Sequence, residues 1–182
     1  MKKVGKFERV MALFLTVGAA SAFAEFNGSG TTAVSLTIGP EASIQVDTAT
    51  TNLAPSGGTF SDFVGTTNYT YKIRTSQSGG SGSITLKITS DFGNSGGPSV
   101  ANPVSASDAL QYSCTAVAPA TGCSSEQTAS TTSDTAVASF GADQRSAKAG
   151  TSGNSVNWKL NNNPEYKTGT STATATFTIS AA

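Results

Sequence analysis

Histidine is absent from all 182 residues. That absence removes Ser-His-Asp and Cys-His nucleophile systems, histidine zinc sites and the HExxH motif together. A Ser-Lys pair needs SxxK, and Ser146-Ala147-Lys148 has the wrong spacing. No GxxxxGK[ST] phosphate loop and no D-x-[DN]-x-[DN]-G calcium loop occurs either. Charge is scarce, at 12% of the chain, and no apolar run after residue 24 is long enough to span a bilayer. The carboxylates that remain stand singly, whereas a glycosidase needs two facing each other about 5–10 Å apart. The sequence therefore reads as a non-enzymatic protein with no cofactor and no metal.

Residues 1–24 read as an export signal. Lys2, Lys3, Lys6 and Arg9 make a basic start, residues 10–20 are apolar but short for a membrane span, and Ala22-Phe23-Ala24 has the small-x-small cleavage pattern. Cleavage before Glu25 leaves 158 residues, enough for one core, so the expected organisation is a signal peptide over 1–24 and a single domain over 25–182. The leader takes four of the 11 basic residues and one of the 11 acidic ones, which leaves seven against ten, a net of −3. Lys and Arg form no cluster along the remaining chain, which argues against nucleic-acid and anionic-membrane partners. The expected location is secreted, periplasmic or cell-surface, with no transmembrane segment after cleavage. In an oxidising compartment Cys114 and Cys123 should pair, closing a short loop worth about 2–3 kcal/mol.

What the chain has in quantity is alternation. In the stretch 170–180, Ala173, Ala175, Phe177 and Ile179 alternate with hydroxyl residues, the pattern of a strand with one face in a core. The same period appears in Val34, Leu36 and Ile38, in Tyr69, Tyr71 and Ile73, in Ile84, Leu86 and Ile88, and in Val156, Trp158 and Leu160. The Gly-rich loop 77–82 predicts a hairpin between the strands around Tyr71 and Leu86. Trp158 shares its face with Val156 and Leu160, so it belongs to the core, on the strand next to the closing one. About eight or nine strands with turn signals every ten or so residues predict an all-β fold, an antiparallel Ig-like β-sandwich, with a barrel as the alternative. Tyr166, in a loop, is the aromatic expected to be exposed and is the candidate glycan contact of a secreted glycan-binding module.

With a leader, an alternating first strand and an alternating last strand, the chain resembles secreted bacterial Ig-like subunits of the fimbrial or spore coat protein U type. The resemblance implies a sandwich whose groove is filled by a donated strand, first from a periplasmic chaperone and then from the next subunit. On this chain it makes Val34, Leu36 and Ile38 the donor-strand candidate, and Ala173, Ala175, Phe177 and Ile179 the receiving edge. Two features depart from the family. The disulfide lies in the middle of the domain, and the chain closes on Ala181-Ala182 rather than near a bulky aromatic. The first strand either pairs within its own domain or is donated. The functional expectation is an exported structural or adhesive surface protein with copies of itself, related subunits and a chaperone as partners.

Overall fold

The computed structural model describes residues 30–182, and the chain divides into two units, 1–36 and 37–182. The leader over 1–24 lies outside the described residues. Unit 37–182 is built from ten strands: β1 (Glu41–Val46), β2 (Ala54–Pro55), β3 (Phe63–Arg74), β4 (Gly82–Ser90), β5 (Gln111–Thr115), β6 (Thr121–Gly122), β7 (Gln127–Thr128), β8 (Thr135–Phe140), β9 (Thr151–Leu160) and β10 (Thr174–Ala181). Three of these span two residues, so the excess over the expected eight or nine consists of short loop bridges. Every pairing is antiparallel. One sheet runs β1-β3-β9-β5-β7 with β2 also on β3, and the other runs β10-β4-β8-β6.

The alternation in each strand decides which side faces the core. Tyr69, Tyr71 and Ile73 of β3, Tyr112 of β5, and Val156, Trp158 and Leu160 of β9 are buried from one sheet. Ile84, Leu86 and Ile88 of β4, with Val137 and Phe140 of β8, are buried from the other. Rings meet across the gap. Tyr71 and Phe140 lie edge-to-face with centroids 5.1 Å apart, and Tyr69 and Phe177 are 6.0 Å apart. Two separate antiparallel sheets enclosing one apolar layer are consistent with a β-sandwich. Each fully buried aliphatic side chain in that layer contributes about 1.5–3 kcal/mol.

Two expected neighbourhoods are corrected. β3 and β4 do not form a hairpin; they sit in different sheets, and the loop between them crosses the sandwich. A period of two fixes which side chains are buried, but it reads the same whether consecutive strands lie side by side or face each other. The crossing is tight. A Cβ on Gly80 would run into the backbone of Ser76, and one on Gly82 would lie 2.7 Å from the Ser180 carbonyl oxygen. Likewise the closing strand β10 pairs with β4, so β9 and its Trp158 are not its neighbours.

The core contains one polar fault. The Tyr69 hydroxyl is buried with no partner among the described residues, and burial, with Tyr71 beside it, pushes its pKa up to about 12. The Tyr71 hydroxyl donates to the Val117 carbonyl oxygen at 2.7 Å and accepts from the Ala120 N–H at 3.1 Å. An orphaned buried hydroxyl carries its desolvation cost uncompensated, whereas a satisfied one repays it. Tyr69→Phe is therefore expected to raise stability by about 1 kcal/mol, and Tyr71→Phe to lower it by about 1–2 kcal/mol. Urea midpoints of the two variants check this, and equal shifts of the same sign would contradict it.

Candidate functional site

The two sheets close unequally. On β4 the inward side chains are fully buried, yet Ala175, Phe177 and Ile179 of its neighbour β10, and Ala173 just before it, are only half-buried although they pack on the same core. The reason is position. β10 ends its sheet, β1 ends the other, each is paired on one side only among the described residues, and the two edges approach each other without a ladder between them. Ala42 and Ile44 of β1 are half-buried in the same way. Among the described residues an apolar seam and an unpaired strand edge thus coincide along one long side, and such an edge presents open N–H and C=O groups to which another strand can pair.

Residues 30–40 form no strand, which corrects the expectation of a strand over 33–38. Val34, Leu36 and Ile38 are 91%, 82% and 62% exposed. Alternation makes a strand only when a partner supplies ladder bonds and a covered face, and among the described residues none does so here. The stretch leading into β1 is fixed at its root. Arg74 donates from Nε to the Gly39 carbonyl oxygen at 2.7 Å and from Nη2 to Glu41 at 3.1 Å.

Cys114 and Cys123 form the expected disulfide. Its geometry is more specific than a stapled loop mouth. Cys114 lies in β5 of one sheet, whereas the Cys123 N–H donates to Val137 of β8 in the other, so the bond ties the two sheets together. Tyr166 is half-buried rather than exposed, and its hydroxyl is buried without a partner among the described residues. Burial and the nearby Asp108 charge push its pKa up.

The two carboxylates with the most hydrogen bonds are loop organisers. Asp108 accepts from the Ser105 hydroxyl and from the side-chain amides of Asn161 and Asn163. The Ser105 bond is the chief reason its pKa is lowered. At Asp91, burial alone would raise the pKa, but the N–H groups of Val100, Ala101 and Phe92 and the Ser99 hydroxyl together hold it below its usual value. Asp91 is held by its own loop and Asp108 by Ser105 together with the segment after β9, and no cluster of three or more metal-ligating side chains exists among the described residues.

One feature contradicts the sequence reading. Lys and Arg are dispersed along the chain, yet the fold gathers four of the seven that follow residue 24 around one cleft of about 370 Å³ on the outer side of β1 and β3. Lys72 and Arg74 come from β3, and Arg145 and Lys148 from the loop before β9. Backbone pairing places Arg74 directly opposite Arg145. Sequence reading missed the group because its members lie far apart in the chain. Only the pairing of the 143–146 loop with the end of β3 joins them. No protein-family model, no curated protein and no solved structure matches the chain.

Proposed function

We propose that this is an exported, non-enzymatic structural or adhesive surface protein that assembles by strand donation. In this reading the described residues form an Ig-like sandwich in which the place of the last strand is left open. An Ig constant-type fold sets strands in the order A-B-E-D against a sheet holding C, F and G. The order β1-β3-β9-β5 corresponds to the first sheet, β10-β4 corresponds to F and C, and the place of G is the open side of β10. The occupant is the 34–38 segment of another copy, with Val34, Leu36 and Ile38 facing the seam and the backbone supplying the ladder. One observation carries the proposal: an edge strand with half-buried Phe177 and Ile179 occurs in the same chain as an exposed, alternating, strandless segment.

Export rests on the leader pattern and is compatible with the disulfide. No helix among the described residues is long and apolar enough to cross a membrane. The non-enzymatic part rests on the missing histidine and on the engagement of Asp91 and Asp108 in structural hydrogen bonds.

Light scattering after size-exclusion provides the test. Protein spanning 25–182 is expected to form oligomers that grow with concentration, and protein lacking 25–39 to stay monomeric. Two monomers that unfold at the same temperature would remove the proposal.

A further inference from the structure

We infer that the cleft between β1, β3 and the 145–148 loop is a binding site for an acidic polysaccharide, one bearing uronic-acid carboxylates. This does not rest on strand donation, because it is carried by the charged side chains of the cleft and not by the apolar seam. Two independent observations support it.

The first is the balance of charge. Arg74 is paired with Glu41 and Arg145 with Asp143, while Lys72 and Lys148 have no ion-pair partner among the described residues. Both lysines are exposed, so the cleft carries a local surplus of two positive charges on a protein whose net charge past residue 24 is negative.

The second is the juxtaposition of Arg74 and Arg145 across an antiparallel bridge. Like charges directly opposite one another destabilise a strand pair. Each guanidinium has its own carboxylate, but those pairs are exposed, and exposed pairs contribute little. A bound anion relieves the repulsion that remains, and Arg presents its N–H groups in a fork that suits a carboxylate.

Two carboxylates, Glu41 in the cleft and Asp143 on Arg145 at its side, decide between classes of polyanion. A nucleic-acid duplex carries one charge per about 1.7 Å of axis and is held by an uninterrupted set of cations. Here Glu41 and Asp143 interrupt the set and repel closely spaced phosphates. An acidic polysaccharide spaces its charges one to a ring, and its hydroxyls donate to carboxylates. Lys72 and Lys148 then meet the uronate groups, and Glu41 and Asp143 accept from ring hydroxyls.

The probe is polygalacturonate, with neutral dextran and duplex DNA as comparisons, measured by calorimetry on the protein at low salt. Polygalacturonate is expected to bind, dextran not, and affinity to fall steeply as salt is raised. The exposed double variant Lys72→Gln/Lys148→Gln should bind about tenfold more weakly, with an unchanged melting temperature. Lys87→Gln, on the outer side of the other sheet, should bind like the parent. The inference is overturned by a parent that does not bind, by a double variant that binds as the parent does, or by Lys87→Gln losing as much. DNA binding as tight as polygalacturonate binding would also overturn it, since the cleft would then answer to charge density alone.

Discussion

A chain lacking residues 25–39 melts about 5–10 °C higher when supplied with a peptide of residues 31–39 at about 100 times its dissociation constant. The figure follows from mass action. A ligand that binds only the folded state at that concentration stabilises it by about 2.7 kcal/mol, and a domain of this size gains about 2–4 °C per kcal/mol. The peptide supplies what the β10 edge lacks: N–H and C=O groups along an unpaired edge, and three apolar side chains at a spacing of two over the half-buried Phe177 and Ile179. The core cluster begins at Ala42 and contains no residue of the segment, so melting of the shortened chain is measurable alone. A peptide carrying Leu36→Asp should give no shift, because an unpaired carboxylate would have to enter the apolar seam. Scanning calorimetry with both peptides checks this. No shift from the parent peptide at millimolar concentration, or an equal shift from both, would sink strand donation.

Period-two alternation carried most of the fold. Tyr69, Tyr71, Ile84, Leu86, Val156 and Trp158 are buried as their spacing predicts, because a strand's inward face depends only on its own sequence and on one covering layer. Strand pairing was less legible. The loop 77–82 has hairpin composition, but the apolar faces of β3 and β4 gain more by facing each other than by lying side by side in one sheet. Nothing local records that choice. The segment around Leu36 shows the converse, since its pattern is that of a strand and yet it forms none. Asn154 was invisible in the sequence. It is fully buried where the β3–β9 register shifts, donating to the Tyr69 and Thr151 carbonyl oxygens and accepting from the Val117 N–H. A polar residue within the 151–160 pattern looks like solvent-facing alternation unless the irregular register beside it is known. The basic cleft failed for a topological reason, as it exists only because the 145–148 loop returns to the end of β3.

Trp158 and Phe177 separate core stability from edge function. Trp158 is 7% exposed, stacks at a tilt on Tyr112 with centroids 5.5 Å apart, and donates from Nε1 to the Thr67 hydroxyl. Trp158→Ala removes a central ring and leaves a cavity between two paired strands, so a loss of about 3–5 kcal/mol and a fall in Tm on the order of 10 °C are expected. Phe177 packs on Tyr69 but is half-buried at the sheet edge, so Phe177→Ala should cost about half as much in the chain lacking 25–39. Adding the 31–39 peptide reverses the ranking of their effects. The Trp158→Ala protein should keep the full peptide-induced rise in Tm, since its ring has no part in the seam. The Phe177→Ala protein should lose most of that rise, since the apolar ground that Leu36 would cover is gone. Calorimetry of the two variants with and without peptide gives all four values. Equal loss of the peptide response in both would mean that the peptide senses overall stability and that β10 is not a receiving edge.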